Sequence, residues 1–209
     1  VRSRRQRQMC IRDSPRAVNS VAELLTDTDI HVVYVSTTNE LHHQQVLAAA
    51  KAGKHILCEK PLAMSLNETQ EMITTCRDAG VILATNHQLR VGDGIRKMRE
   101  LVAEGAIGKT LAARVFHAVY LPDHLQGWRL NNPDAGAGVV LDLVVHDIDM
   151  LRFVLNAEPT EVVSLSQHSG MATNDAIEDG NMAVFRFDND LIAQVHTAFT
   201  IKYAGDGIE

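Results

Sequence analysis

The stretch HVVYVSTTNELHHQQVLAAAKAGKHILCEKP, residues 31–61, decides the fold of this chain. It predicts a β-branched strand over 31–36, a helix over 40–52 with Asn39 as its N-cap, and an apolar strand over 55–58. A strand, a helix and a second strand at this spacing indicate a parallel βαβ unit with a right-handed crossover. Both strands are short and apolar, which indicates a sheet covered on both faces.

The same pattern extends on both sides of this stretch. A helix is predicted over 18–26, and a capping box, Ser65-x-x-Glu68, opens another helix that leads to a third strand over 81–84. We therefore predict the C-terminal part of a Rossmann-type, doubly wound α/β domain over residues 15–90. Ligands of such sheets bind beyond the carboxyl ends of the strands, which here are the loops 36–42, 58–62 and 85–90.

Beyond residue 90 the periodicity changes, and we predict a second, α+β domain with an open antiparallel sheet over residues 91–209. The hairpin turn Asp188-Asn-Asp190, which joins the last two strand-like runs, indicates antiparallel pairing. The predicted elements are a helix over 94–104, a strand over 110–121, an irregular loop to 138, a helix over 139–155, and strands over 160–168, 181–187 and 191–200.

The two ends of the chain differ from its body. Residues 1–14 lack apolar periodicity and are expected to be a disordered or non-native tail, with a basic arm that contacts phosphates as the alternative. The chain stops soon after a strand-like run, so we expect the second sheet to be truncated and the chain to be a fragment of a longer enzyme.

The composition excludes several classes of protein. A net charge of −6 with 4% aromatic residues argues against a nucleic-acid partner, and no apolar run is long enough to cross a membrane. The three cysteines have no close metal-binding spacing, and their odd number suits no disulfide framework. We therefore expect a reducing, cytoplasmic compartment.

The predicted helix 139–155 is apolar on nearly all sides and is therefore expected to be buried. Asp142, His146 and Asp149 nevertheless lie on one stripe of it, at positions i, i+4 and i+7. Buried titratable groups are costly unless they are paired or face a polar cavity. The stripe favours a pocket wall, and the alternative is a satisfied structural network or a helix-cap contact of Asp142.

Lys60 precedes Pro61 at the end of a buried parallel strand. From spacing alone it could be a solvated loop residue, but this rim of the sheet faces the ligand crevice. A lysine beside an Asp/His stripe can polarise or protonate a carbonyl oxygen, which is the electrophilic half of a hydride transfer.

Other polar residues lie at the strand ends and in the long loop. The segment 36–42 offers hydroxyls, an amide and a helix N-terminus that suit a cofactor's amide or ribose, although a plain N-cap explains them equally well. The same ambiguity holds for Asn86, His87 and Arg90, while Trp128-Arg129 suits either a sugar or domain packing.

The chain contains no G-x-G-x-x-G, since Gly136-Ala-Gly138 is followed by Leu141, so the phosphate-binding turn of a Rossmann unit is absent.

Three motifs together resemble the glucose–fructose oxidoreductase/inositol dehydrogenase (Gfo/Idh/MocA) family. They are Tyr34-Val-Ser-Thr-Thr-Asn-Glu-Leu-His42, Ala52-Gly-Lys-His-Ile-Leu-Cys-Glu-Lys-Pro-Leu62 and Asp142-x-x-x-His146-Asp-x-Asp149. The resemblance covers about residues 20–205. It implies a Rossmann domain followed by a substrate domain, without the first βαβ unit that carries the glycine turn and selects NAD or NADP.

The resemblance also implies an activity and a set of site residues. It implies hydride transfer from NADPH, with NAD as the alternative cofactor, to the ketone of a cyclic sugar, and no metal. Lys60 would be the catalytic lysine and His146 the proton donor, with Asp142 beside them. The cofactor-binding residues would be Ser36, Thr37, Thr38, Asn39, His42, Glu59, Lys60, Pro61 and Asn86, and the substrate-binding residues Lys60, Trp128, Arg129, Asp142 and His146.

Three alternatives stay open. One is an NAD-dependent inositol or sugar dehydrogenase with His146 as the base. Another is a hydrolase in which Asp142, His146 and Asp149 bind a divalent metal, and the third is a non-catalytic protein that senses a sugar or dinucleotide. The expected partner is a small sugar, and the expected state is a monomer or a homodimer.

Overall fold

The structure, a computed structural model, describes residues 16–202 and the backbone of residues 207–208. The predicted tail, residues 1–14, lies outside the described residues. The described elements form a three-stranded sheet, in the order β1-β2-β3, and a five-stranded sheet, in the order β5-β6-β7-β4-β8. Over the described residues, none of the helices is long and apolar enough to cross a membrane.

The first sheet is parallel throughout, which confirms the predicted βαβ pattern. Helix α2 packs over it, and its buried core includes Val35, Val46 and Ile56. In chain order the elements are α1 (Val21–Leu25), β1 (Val32–Val35), α2 (Asn39–Lys51), β2 (His55–Glu59), α3 (Leu66–Asp78) and β3 (Leu83–Asn86).

Local capping explains where helix α3 begins. Ser65 Oγ accepts a hydrogen bond from the Glu68 backbone N–H at 3.2 Å, and the Glu68 carboxylate accepts from the Met64 N–H at 3.1 Å. The prediction of Asn39 as an N-cap is wrong, because Thr38 holds that position while Asn39 lies inside the helix and is buried.

The second half of the chain combines three further helices with the five-stranded sheet. Its elements are α4 (Asp93–Ala103), β4 (Ala112–Ala118), α5 (Asp123–Asn131), a π-helical turn (Val140–Val144), α6 (Val145–Leu155), β5 (Pro159–Gln167), β6 (Gly180–Phe187), β7 (Ile192–Ala198) and β8 (Gly207–Ile208). The expected irregular loop before residue 138 is therefore largely helical, with a kink at Gly127 where φ is 25°. Short 3₁₀ turns cover Gln88–Val91 and Pro133–Ala135.

The predicted α+β character of this half is confirmed, but its sheet is mixed rather than purely antiparallel. β5, β6 and β7 form an antiparallel meander, as the hairpin turn predicts. β4 then pairs with β7 in parallel. Local turn residues cannot reveal this pairing, because 73 residues separate β4 from β7 between Ala118 and Ile192.

Helix α6 contacts both halves of the chain. Leu151 and Leu155 pack into the core of the second sheet with Val195 and Phe187. The opposite polar stripe of this helix is directed toward the strand ends of the first sheet, as its contacts described below show. The fold thus places one buried helix against the rim where a doubly wound sheet binds its ligands.

Candidate active site

The carboxyl ends of β1, β2 and β3 meet at one edge of the first sheet. Val35 is in register with Cys58, and Glu59 with Asn86, so the residues that follow each strand share this rim. Lys60 follows β2, and its peptide bond to Pro61 is cis. The rim therefore brings the predicted lysine and the loops after β1 and β3 together.

Lys60 contacts Asp142 across the boundary between the two halves of the chain. The ammonium Nζ lies 2.8 Å from Asp142 Oδ1 and also donates to the Asp142 backbone carbonyl. Arg129 Nε donates to the other carboxylate oxygen, Oδ2, at 3.0 Å. The Lys60 and Asp142 side chains are only 12% and 11% exposed, so this ion pair is largely shielded from water.

Opposing effects set the charge of Asp142. Burial by itself raises the pKa of the carboxyl, but the ammonium of Lys60 and the guanidinium of Arg129 outweigh it, so the pKa lies below its ordinary value of 3.8. Asp142 is therefore a carboxylate at neutral pH. Its negative charge keeps a compact cation at the rim of the first sheet.

His146 lies one helical turn further along and is 5% exposed. The pKa of its imidazole is lowered from 6.5 to about 4, mainly by burial, with smaller contributions from the Lys60 ammonium, His87 and His117. The ring is therefore uncharged at neutral pH. The Lys60 ammonium is thus one of the charges that disfavour the protonated ring.

Asp149 completes the stripe and pairs with a residue that follows β3. Arg90 donates from Nε and Nη2 to the two carboxylate oxygens of Asp149, each at 2.6 Å. His87 Nδ1 lies 3.7 Å from Asp149 Oδ2. A cavity of about 400 Å³ opens here, lined by Thr85, Asn86, His87, Gln88, Arg90, Val91 and Asp149.

Of the polar stripe, Asp149 lines this cavity, and both carboxylates of the stripe have cationic partners, so a pocket wall formed by all three residues stays a prediction. Asp142 is paired with Lys60 and Arg129, and Asp149 with Arg90. Among the described residues, no group of three His, Cys, Asp or Glu side chains is arranged to hold a metal ion. The metal-dependent hydrolase has no support in this geometry, since Asp142 is paired with an ammonium and Asp149 with a guanidinium.

The residues predicted after β1 divide into exposed and buried ones. Ser36 and Thr37 are exposed, and Thr37 Oγ1 donates to Gln45 at 3.0 Å. Asn39 is buried and donates to the Gly136 carbonyl at 3.3 Å, a contact that joins the two halves of the chain. Thr38 Oγ1 donates to the Glu40 carboxylate at 2.8 Å.

His42 is fully buried and connects two of the rim loops. Its ring nitrogens lie 2.9 Å from the Pro61 carbonyl oxygen and 3.4 Å from that of Thr37. This position suits a residue that holds the loops in place. A direct contact of Asn39, His42 or the buried Pro61 with a cofactor stays a prediction.

Glu59 and Asn86 form a polar group at the ends of β2 and β3. Asn86 Nδ2 donates to Glu59 Oε1 at 2.8 Å, and the Tyr34 hydroxyl donates to the same carboxylate. Burial raises the pKa of Glu59, but these hydrogen bonds and Lys60 outweigh it, so the pKa lies below its ordinary value of 4.5. Tyr34 was not among the residues predicted for the site.

Trp128 and Arg129 occupy the kinked helix α5, where Arg129 lies over the Trp128 ring with its Cζ 4.6 Å from the ring centroid. This cation–π contact and the bond to Asp142 orient Arg129 toward Lys60. The structure therefore brings Arg129 into the same cluster as the predicted catalytic residues. Contact of either side chain with a sugar stays a prediction.

Sequence reasoning missed the support at the start of the buried helix. Glu178 accepts a hydrogen bond from the Val140 N–H at 2.9 Å, and its backbone carbonyl accepts from Val139. These bonds satisfy N–H groups at a helix start. Gly138 has a φ of +108°, and a Cβ there would lie 2.4 Å from Glu178 Oε1, so this position requires glycine.

A second missed group fixes the rotation of α6. The carboxylate of Asp147, which is fully buried, lies 2.7 Å from His117 Nδ1 on β4 and accepts from Thr197 Oγ1 on β7 at 2.8 Å. These bonds fix the rotation of the helix and thereby the direction of the adjacent His146, which lies about 100° around the helix axis. The only signal in the sequence was the aspartate beside His146, off the polar stripe.

The residues at the rim fit the nicotinamide half of a dinucleotide. Exposed hydroxyls follow β1, a largely buried ammonium follows β2, and the amide of Asn86 stands at the end of β3. The nicotinamide and ribose of a dinucleotide carry amide and hydroxyl groups, which can form hydrogen bonds with such a rim.

Comparison with known proteins identifies the family. Residues 1–87 match a family model described as an oxidoreductase family with an NAD-binding Rossmann fold, and residues 95–209 match the GFO/IDH/MocA C-terminal domain. The 1,5-anhydro-D-fructose reductase of Ensifer adhaerens is 58% identical over 194 residues, which are 93% of this chain and 58% of that protein. The myo-inositol 2-dehydrogenase of Thermotoga maritima is 30% identical, over 91% of this chain and 56% of that protein.

A solved structure confirms the fold. Levoglucosan dehydrogenase in complex with NADH and levoglucosan superposes with a TM-score of 0.87 and 26% identity, covering 99% of this chain and 58% of that chain. The chain thus spans less than two thirds of the length of these relatives. It belongs to the GFO/IDH/MocA family of oxidoreductases.

Proposed function

We propose that this member of the GFO/IDH/MocA family forms the catalytic part of a reductase for the ketone of a cyclic sugar. The proposed reaction converts 1,5-anhydro-D-fructose to 1,5-anhydro-D-mannitol with NADPH. One observation carries the proposal: the Lys60 ammonium, at a strand end of the first sheet, pairs with Asp142 on the buried helix segment beside His146. The 58% identity to the reductase of Ensifer adhaerens supports the choice of substrate.

Lys60 would act on the ketone oxygen. Its ammonium has three N–H donors, and it can direct one at the substrate oxygen while it keeps a contact to Asp142. An ammonium shielded from water polarises the carbonyl and stabilises the negative charge that develops on the oxygen. The bound dinucleotide supplies the hydride that reaches the ketone carbon.

Asp142 and Arg129 would hold Lys60 in its reactive position. The carboxylate of Asp142 lies between the two cations, so it would hold the ammonium at the rim of the first sheet. His146 would then give a proton to the oxygen and complete the alcohol. Ser36, Thr37, Glu59 and Asn86 would contact the cofactor from the rim.

A second candidate is an NAD-dependent oxidation of a sugar or inositol hydroxyl. It is favoured by the uncharged imidazole of His146, whose pKa of about 4 lets it accept the hydroxyl proton as a base. The myo-inositol 2-dehydrogenase of Thermotoga maritima is a relative at 30% identity. The same residues would serve in the reverse direction of hydride transfer.

A steady-state assay of the complete gene product separates these candidates. We expect turnover of 1,5-anhydro-D-fructose with NADPH that exceeds turnover of myo-inositol with NAD, and NADH in place of NADPH tests the choice of cofactor. Faster oxidation of inositol would favour the second candidate. Dinucleotide binding without turnover of either pair would contradict an enzyme and favour a sensing protein.

The remaining proposals concern the setting of the enzyme. Cys58 and Cys76 are buried thiols, which agrees with the cytoplasm that we propose.

We also propose a monomer or a homodimer, since β5 and β6 expose apolar side chains that include Val163 and Leu165. Light scattering of the complete gene product would determine which of the two states is present.

A further inference from the structure

His87 connects His146 with the open cavity at the end of β3. The rings of His87 and His146 meet edge to face, with their centroids 6.1 Å apart and an interplanar angle of 84°. His87 also lines the cavity of about 400 Å³ together with Gln88, Arg90 and Asp149. Neither the predicted mechanism nor the family motifs assign His87 a role.

The two rings share an unusual feature. Among the described residues, only three buried side-chain nitrogen or oxygen atoms lack a hydrogen-bond partner, and two of them are Nδ1 of His87 and Nδ1 of His146. Native proteins rarely leave buried polar atoms unpaired without a functional reason. Two such atoms on adjacent imidazoles leave ring nitrogens that can exchange a proton, and Nδ1 of His87 also lies 3.7 Å from Asp149 Oδ2.

The chemistry of reduction explains why a second imidazole is needed. Each reduced ketone consumes one proton, and an uncharged His146 ring carries a single N–H. If that proton left alone, the ring would become an imidazolate, which is far too basic to form. The second ring nitrogen must therefore receive a proton as the first one gives its proton away.

We propose that His87 relays protons from solvent in the cavity to His146, an inference that rests on the reductase activity proposed above. The sugar oxygen takes the Nε2 proton of His146, while Nδ1 of His146 accepts a proton from His87. His87 recovers that proton from a water molecule of the cavity, so both rings end uncharged and bulk water is the net proton source. His146 then carries its proton on Nδ1, and it regains the Nε2 proton by exchange with water after the product leaves. The separation of the rings suits transfer through one bridging water molecule.

The surroundings of His87 suit a ring that passes protons in both directions. Burial lowers the pKa of His87, and the positive charges of Arg90, Lys60 and Arg152 lower it as well. The carboxylate of Asp149 acts in the opposite direction and raises it. Arg90 already holds both oxygens of Asp149, so this carboxylate does not retain the relayed proton. His146 is the remaining group that faces His87.

The test uses H87A in the complete gene product. Because the variant lacks the relay, we expect kcat with 1,5-anhydro-D-fructose and NADPH to fall about 10- to 100-fold while KM changes little. Added imidazole should restore much of the rate, since the deleted ring leaves space beside a solvent-filled cavity. The solvent deuterium isotope effect on kcat should rise in H87A, because proton delivery becomes rate-limiting.

Q88A is the matched control, since Gln88 lines the same cavity but carries no relay group. Its kcat should stay near that of the wild type, and imidazole should not change it. H87Q keeps a polar side chain of similar size and should lose rate like H87A. It replaces H87A as the test variant if H87A does not bind NADPH.

An H87A enzyme with wild-type kcat, or a slow H87A that imidazole does not restore, would overturn the relay. Failure of the proposed reductase activity would show up separately, as absent turnover in the wild type.

Discussion

Two ion pairs connect the polar stripe of the buried helix to the strand ends of the first sheet, one on either side of His146. Lys60 pairs with Asp142, four residues before the histidine, and Arg90 pairs with Asp149, three residues after it. Both cations follow strands of the same parallel sheet. The two pairs therefore differ in the chemistry of the cation rather than in its place in the fold.

That difference separates a group that reacts from a group that fixes geometry. Arg90 holds Asp149 with two parallel hydrogen bonds of 2.6 Å, which a planar guanidinium forms in a single orientation. Lys60 presents a compact charge on a flexible stem and can turn one donor toward a substrate. We therefore expect loss of Lys60 to affect activity most and loss of Arg90 to affect stability most.

The largest expected effect is on the activity of K60A. Because the ammonium is the principal stabiliser of the developing oxyanion, we expect kcat/KM for the sugar to fall by about 10³-fold, within the range measured for electrostatic and acid–base groups. Steady-state kinetics would measure this loss. K97A is the control, since Lys97 pairs with Glu100 on an exposed surface and should keep wild-type activity. A K60A enzyme with near-normal turnover would break the distinction between the two pairs.

The next effect is on the stability of R90L. Arg90 has a side chain 37% exposed, but its removal leaves uncompensated the charge of Asp149, whose side chain is only 7% exposed. We expect a loss of about 3 kcal/mol in the free energy of unfolding, measured by urea denaturation. R77L should lose less than about 1 kcal/mol, because the Arg77–Asp78 pair is 68% exposed on both sides. Equal losses in the two variants would contradict a clamping role for Arg90.

Lowering the pH should destabilise the region between the two pairs. The pKa of His146 is about 4 in the folded chain and near 6.5 when exposed, so between these values the unfolded chain binds a proton that the folded chain does not. Its contribution to stability is full above about pH 6.5 and falls by about 3 kcal/mol as the pH approaches 4. H146Q should lose this part of the pH dependence, as measured by denaturation from pH 7 to pH 4. An unchanged pH profile in H146Q would show that the imidazole is not buried in its uncharged form.

The smallest effect concerns the support of the Lys60–Asp142 pair. G138A should destabilise the protein by about 2 kcal/mol, since the new Cβ meets Glu178 at 2.4 Å in addition to the strain of a positive φ. G170A is the matched control, because φ is also positive there and nothing lies within 4 Å of a new Cβ. Thermal unfolding of both variants would show whether the contact with Glu178 adds to the cost of backbone strain.

The limits of sequence reasoning are clearest at helix α6. Periodicity identified a buried helix with Asp142, His146 and Asp149 on one side, and the structure places all three toward the first sheet. The same reasoning missed Asp147, whose burial depends on His117 and Thr197 from two strands of the second sheet. The sequence also predicted an irregular loop where α5 forms. Pro122 and Gly127 weaken the local helical pattern there, and the helix is supported by packing against the site.

By itself, the sequence determined the parallel βαβ pattern, the position of Lys60 at a strand end and the polar stripe on the buried helix. These follow from residues close together in the chain, through the periodicity of apolar side chains and the capping of helices. Only the tertiary structure decided which charges meet, since Lys60 and Asp142 are 82 residues apart and Arg90 and Asp149 are 59 apart. It also decided the parallel pairing of β4 with β7 and the contact of His87 with His146. The energy of such contacts depends on packing between distant segments, which local sequence patterns do not contain.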